Sequence, residues 1–374
     1  MLELNKFESE VVSSLECCPN DAVLLAAVSG GADSMALLSS LDAARQNGKI
    51  KNLFCMHIEH GLRRAQESLG DAEHVRLFCE DNKIKCIVKN IAPGKIVSFA
   101  KRKGIGIEAA ARSFRHRALS KEAKILQQQH GGEVFILLAH TKDDLLETAL
   151  MRVLRGVGPA GLAAMPKRRE RLLRPILNMS RADVIEYLES KHIAWREDST
   201  NCDTQFLRNR IRCQLVPFLN DSFPSWKKGI AAMAQTQSLV ADFIKKEAGE
   251  RIKWDITKTS HRGAEAQRMI EFISTDAQNF FIQPLIIREE AIFCGINILS
   301  SVHILRVSVS LCESSSTIKR KVVRHFCEGK TNAADLGSVR VKREGGKIVL
   351  ERRRREFFES GISRLIIEPR LDNL

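Results

Sequence analysis

Ala22-Val23-Leu24-Leu25-Ala26-Ala27-Val28-Ser29-Gly30-Gly31-Ala32-Asp33-Ser34, residues 22–34, decides how this chain is read. Residues 22–28 form a short continuous apolar run, the pattern of a strand buried on both faces in a parallel sheet. A Gly-Gly turn follows, and a helical stretch runs from about Ser34 to Asn47. Backbone N–H groups at a helix N-terminus, unblocked by Cβ atoms at Gly30 and Gly31, make a cradle for an anion. Ser29 and Ser34 add hydroxyl donors. Asp33 repels a phosphate directly, and makes sense where Mg²⁺ bridges it to that phosphate, directly or through water. The string is neither G-x-x-x-x-G-K-[ST] nor G-x-G-x-x-G, so it is not a Walker loop or a dinucleotide turn. The plainer alternative is an ordinary turn with Asp33 or Ser34 capping the helix.

Working outward, residues 53–58 and 134–139 repeat the buried-strand pattern, and a further strand is expected over 84–89. Helices are expected over 70–82, 107–129 and 143–155, the last with Leu146, Leu150, Val153 and Leu154 on one face. Strands alternating with helices predict an α/β fold: an open parallel sheet with helices on both faces, occupying residues 1–219. From Trp226 to Glu247, Ile230, Met233, Val240, Phe243 and Ile244 recur at helical spacing. A helical connecting region is therefore expected over 220–290, followed by a small, basic α+β region over 291–374. Residues 339–350 alternate apolar and polar around Gly345-Gly346, which predicts a β-hairpin.

Composition narrows the function. The 374 residues are 44% hydrophobic and 28% charged, enough for a substantial core and against wholesale disorder. Lys+Arg 59 against Asp+Glu 45 gives +14, which points to a polyanionic partner, with nucleic acid first. Between Lys319 and Glu356 there are 13 Lys/Arg against 5 Asp/Glu, either a solvated basic face or a phosphate-contacting one. No apolar run approaches the ~18 residues of a membrane span. The acidic, amphipathic start is not expected to be a signal peptide. The 10 cysteines include no C-x-x-C pair and are expected to be reduced thiols of a cytoplasmic protein.

Ser-Gly-Gly-x-Asp-Ser after a first strand resembles the PP-loop (N-type) ATP pyrophosphatases, which cleave ATP between the α- and β-phosphates. Four further segments, in order, resemble the tRNA(Ile)-lysidine synthetase family. They are His57 to Arg63, Gly106 to Arg112 with Arg115, Ala139 to Thr148 continuing to Leu162, and Trp195 to Asp203 continuing through Arg208–Arg212 to Pro217. Nearly all of residues 22–219 is covered.

The resemblance implies a two-step reaction with ATP and Mg²⁺. The C2 oxygen of the wobble cytidine in a tRNA(Ile) with a CAU anticodon is adenylated, and L-lysine then displaces AMP. It implies an ATP site at Ser29, Gly30, Gly31, Ala32, Asp33, Ser34, His57 and Arg112, with Asp33 holding the metal. Asp33, His140 and Asp144 are the expected catalytic residues, and Glu147, Glu197, Asp198, Arg208 and Arg210 the expected contacts to lysine or tRNA. No membrane association and no stable protein partner are expected, with a homodimer left open.

The residues have their own physical readings. His57 and His60 end a parallel strand at the edge where open α/β sheets bind ligands; His57 alternatively braces the neighbouring turn. Arg112 and Arg115 share a helix face. Asp144 and Glu147 share another, suited to a metal or a cationic substrate, while Asp143 at the same helix start is favoured by the dipole alone. Lysine must lose a proton before attack, and Asp144 or His140 is expected to assist. Arg208, Arg210 and Arg212 do not share one helical face. The chain departs from the family pattern at His116, Thr141, Lys142 and Phe206, which removes a second imidazole and a hydroxyl from those positions. The rivals are a tRNA thiolase on the same scaffold, disfavoured by the lack of C-x-x-C, and an inactive RNA-binding relative.

Overall fold

The computed structural model describes residues 4–61, 65–163, 165–197, 207–259, 269–301, 320–336 and 339–352, and its contacts divide the chain into two compact units after Ala248. Along the first unit run α1 (Lys6–Ser14), β1 (Val23–Ala27), α2 (Ala32–Gln46), β2 (Asn52–Glu59), α3 (Ala65–Asp81), β3 (Lys85–Asn90), α4 (Lys95–Lys103), α5 (Ile107–His130) and β4 (Val134–Leu138). There follow α6 (Lys142–Leu154), α7 (Pro159–Leu162), β5 (Arg168–Arg169), β6 (Leu172–Leu173), α8 (Arg181–Ser190), α9 (Leu207–Arg210), a π-helical turn (Ile211–Leu215), α10 (Val216–Ser222) and α11 (Trp226–Arg251), within which the division falls.

The sheet order is β3-β2-β1-β4-β6-β5, parallel except for β5. Alternate residues of β1 serve opposite faces, which is why its apolar run is continuous. Leu24 and Ala26 pack with α1, α2 and α8 through Val11, Met35, Leu38 and Leu188. Val23 and Leu25 pack on the other face against Leu119 and Leu126 of α5. The chain steps from β1 outward to β2 and β3, then returns to β4 on the opposite flank of β1. That reversal opens a crevice beyond the carboxyl ends of β1 and β4, where doubly wound sheets take their ligands.

The expected strands and helices of this unit are present, with boundaries shifted by a few residues. Among the helices not expected from the sequence, three carry a local end signal. α1 opens on a capping box between Asn5 and Glu8, and α8 on one between Ser180 and Asp183. α4 ends at Gly104, whose φ of +62° suits glycine.

The second unit holds β7 (Asp255–Thr259), β8 (Met269–Asp276), α12 (Ala277–Ile282), α13 (Leu285–Ser301), α14 (Arg320–Cys327), β9 (Ala333–Leu336), β10 (Val339–Glu344) and β11 (Lys347–Arg352). Its antiparallel sheet runs β7-β8-β11-β10-β9. The expected hairpin is there: Glu344 pairs with Lys347, and Gly345 and Gly346 both take positive φ, +55° and +76°. That backbone matches the strand twist and is open to glycine at both positions. Val339, Val341, Ile348 and Leu350 are its buried side. Part of the basic character is spent internally, because Arg324 pairs with Glu289, Lys330 with Glu328, and Lys342 with Glu344 and Glu351. Among the described residues no helix is long and apolar enough to cross a membrane.

Candidate active site

The turn after β1 is closed by one hydroxyl. Ser34 Oγ accepts the N–H groups of Ser29 and Gly30, each at 3.1 Å, and donates to the Gly31 carbonyl at 2.8 Å. Ser34 is buried, so its hydroxyl shapes the turn from beneath. Ser29 Oγ lies 3.2 Å from it. Gly30 has φ +92°, a conformation L side chains resist. Gly31 sits at φ −75° as the N-cap of α2, with no side-chain cap. A Cβ there would meet nothing closer than 3.7 Å. The fold therefore does not need glycine at 31; the bare backbone leaves space over an uncapped helix N-terminus, a ready anion site.

These two glycines predict different failures. Gly30→Ala is expected to lower stability by about 1–2 kcal/mol through the left-handed backbone. Gly31→Ala should stay within about 1 kcal/mol of the parent in stability, yet bind ATP about tenfold or more weakly, since 1.4 kcal/mol of obstruction is enough. Urea denaturation and ATP titration of the two variants separate these outcomes.

Asp33, in the first turn of α2, is bonded to Arg181 at 2.7 Å. Burial pushes its carboxyl pKa up, and the Arg181 guanidinium pulls against that. The carboxylate thus already takes a cation beside the uncapped amides. Arg181 opens α8, and its own N–H donates to Asp143 at 2.7 Å. The loop after β4 and the loop before α8 are laced together, since the Lys142 N–H also donates to the Met179 carbonyl at 2.8 Å.

At the start of α6, Thr141 is the N-cap and Asp144 completes a capping box with it. The free oxygen of Asp144 takes Arg208 at 2.5 Å. Glu147, buried one turn on, takes Arg208 Nε at 2.9 Å through one oxygen and Arg212 Nε at 2.6 Å through the other. Two acids and two arginines thus form a closed lattice. Arg208 and Arg212, four residues apart, face α6. Arg210 is exposed and turns toward Leu207, Ile211 and Phe218. The three arginines divide between faces, as their spacing predicts.

His140 ends the β4 loop. Arg174 Nε donates to its Nδ1 at 3.1 Å, so the ring proton sits on Nε2. Burial, and then the charges of Arg112, Arg115, Arg174 and Arg208, push its pKa down to about 2. His140 is therefore a neutral donor through Nε2–H. Burial and the nearby Arg112 charge also pull Arg115 down to about 10. Four guanidinium groups around a neutral imidazole make a site that favours an anion.

A pH dependence follows. The unfolded imidazole takes a proton near 6.5 and the folded one only near about 2, so the folded state loses stability as pH falls between these values. From about pH 5 to about pH 8, histidine-selective NMR should show His140 in one unchanging Nε2–H tautomer.

His57 is buried in β2 and donates from Nδ1 to the Val28 carbonyl at 3.0 Å, so it braces the end of β1. Arg112 is exposed on α5. Glu197 is exposed beside Arg196, whose N–H donates to the Gly30 carbonyl at 3.0 Å and whose Nε reaches Asp71 at 2.6 Å. Asp198, Asp203 and Phe206 lie outside the described residues. The structure thus brings residues 29–34, His140, Asp144, Glu147 and Arg208 to the carboxyl end of one sheet, leaves Arg210 and Glu197 outward, and adds Arg174, Arg181 and Arg196. The Ser180-Arg181-Ala182-Asp183 pattern marks a helix start, and it was the available signal for Arg181.

Comparison with known proteins settles the family. The family model described as PP-loop domain matches residues 4–219, more than half of the chain. The chain belongs to the PP-loop family. A curated tRNA(Ile)-lysidine synthase from Treponema denticola is 40% identical over 221 residues, covering 59% of this chain and 46% of the relative. Another from Thermotoga sp. is 32% identical over 233 residues, covering 62% and 54%. This PP-loop chain spans about half the length of the curated relatives it matches. A solved U34-tRNA thiolase from Methanococcus maripaludis, with its [4Fe-4S] cluster, aligns at a TM-score of 0.49 with 16% identity over 62% of this chain and 78% of that one, too distant to carry an argument.

Proposed function

We propose that this PP-loop protein is an ATP-dependent ligase that joins L-lysine to C2 of the wobble cytidine of a tRNA(Ile) with a CAU anticodon, forming lysidine. The observation that carries the reading is the meeting of an uncapped Ser-Gly-Gly turn with the Asp144–Arg208–Glu147–Arg212 lattice at the carboxyl end of the sheet. Identities of 40% and 32% to curated tRNA(Ile)-lysidine synthases over the same region support it.

In the first step the cytidine C2 oxygen attacks the α-phosphorus of ATP, and the bond to pyrophosphate breaks. In the second the lysine ε-amine attacks C2, and the bond to AMP breaks. The amides of residues 31–33 hold the phosphate tail, and Arg112 and Arg115 offset its charge. Magnesium fits beside Asp33, which already accepts a guanidinium there; when bound it would neutralise charge between that carboxylate and the phosphates. His140 orients the base by donating from Nε2. With its Nδ1 engaged, His140 does not take up the proton of the ammonium, whose pKa is ~10.4 in water, and Asp144, bonded to Thr141 through one oxygen and to Arg208 through the other, is assigned to orient the reacting groups. Glu147 has both oxygens occupied and acts by positioning Arg208 and Arg212. Glu197 and Asp198 are assigned to the incoming ammonium, and Arg210 to the tRNA backbone. Residues 1–219 form the catalytic region in this reading and 291–374 a basic surface for tRNA; the helical region expected over 220–290 holds α11 and then β7 and β8, which share the second unit's sheet with β9–β11.

The test is incubation with ATP, lysine and the isoleucine tRNA, each omitted in turn. AMP and pyrophosphate should accumulate only in the complete mixture, and nucleoside mass analysis should find lysidine. Pyrophosphate release that ignores lysine and tRNA would assign another PP-loop reaction. Sulfur incorporated into the tRNA would assign a thiolase.

A further inference from the structure

Three cysteines meet in the first unit outside the residues assigned above. Cys55 lies midway along β2 and stands opposite Cys86 of β3 in parallel register, so both point to one face of the sheet. α3 covers that face and contributes Cys79. The three sulfurs lie within 4.8 Å of one another. All three are free thiols. Cys55 and Cys79 are fully buried, while Cys86 is partly exposed on β3, the outer strand of the sheet.

We propose that Cys55, Cys79 and Cys86 form a three-thiolate site for one soft d¹⁰ metal ion of the zinc or copper(I) class. Sulfurs bound at about 2.3 Å to a shared ion stand about 4.0 Å apart in a planar triangle. Closing the present triangle therefore takes a shift of about 1 Å or less. The cluster contains sulfur alone, which selects thiophilic ions over magnesium, calcium or manganese. The surrounding Leu53, Val75 and Ile84 are apolar. Binding a divalent ion releases three thiol protons and leaves one residual negative charge. The partial exposure of Cys86 gives that charge contact with solvent and gives the ion its way in. Val75, one turn before Cys79 on α3, packs beside Gly30. A bound ion therefore ties the helix that walls the phosphate turn to β2 and β3. The assignment does not depend on which reaction the crevice performs.

The test uses the reduced 374-residue chain under anaerobic conditions, with Cd²⁺ as the probe. One ion per chain should bind, giving an ultraviolet sulfur-to-cadmium charge-transfer band that saturates at one equivalent. X-ray absorption on the wild-type complex should find a shell of three sulfurs, a reading that needs no variant. C86A and C79A should each lose the band with circular dichroism unchanged, while C17A and C213A keep it. Metal analysis of the purified protein tells zinc from copper. The assignment is overturned if the folded wild type shows no band, if C79A and C86A retain it, or if iron with sulfide occupies these thiols.

Discussion

Asp33→Ala is expected to lower AMP formation by about 10²–10³-fold, the loss typical when one preorganised charge-stabilising group is removed. Asp33 has no place in the core. It stands in the first turn of α2 with its side chain 33% exposed and bonded to Arg181. Its removal therefore spares the fold, and circular dichroism and tRNA binding should be largely unchanged. Arg181 would lose one carboxylate partner but keep its backbone bond to Asp143. Rapid-quench measurement of AMP release checks the prediction. Turnover within threefold of the parent, a change of about 0.6 kcal/mol, would remove Asp33 from the phosphate chemistry.

Glu147→Ala has the second large effect, and on two readouts at once. Glu147 is 4% exposed and accepts from Arg208 and Arg212 through both oxygens. Removing one partner of a buried charged cluster costs about 3–5 kcal/mol. Arg212 is 42% exposed and can rehydrate, so the lower end, about 3 kcal/mol, is expected here. Activity should fall with stability, because Arg208 also holds Asp144. Glu147→Gln should recover part of the stability by keeping hydrogen-bond acceptance. If Glu147→Ala matches the parent in urea midpoint, the lattice is not structural.

Much of the architecture was legible because parallel strands are buried on both faces. The runs at 22–28, 53–58 and 134–139 are continuous for that reason, and Gly345-Gly346 marked its hairpin by backbone freedom. Two of the elements not expected, α1 and α8, have a cap as their signal. Asn5 with Glu8 and Ser180 with Asp183 announce α1 and α8 only when the three-residue spacing is sought.

Within the site, the sequence located residues better than it assigned their partners. Glu147 and Arg208 were both read as substrate contacts, yet they bind each other across 61 positions, and nothing local encodes that pairing. For His57 the sequence leaves open a ligand contact or a brace on the neighbouring turn, and its ring bonds the Val28 carbonyl. His140 was read as a base or an orienting group, and the choice hung on Arg174, 34 residues away in a stretch without catalytic pattern. Periodicity reports which face a side chain occupies; which charge it meets there is a property of the packed sheet.

The most direct measurement is a crystal structure with Mg²⁺ and a non-hydrolysable ATP analogue. The triphosphate is expected on the amides of residues 31–33, with the cation between it and Asp33. A nucleotide bound elsewhere, with the turn at 29–34 empty, would contradict this.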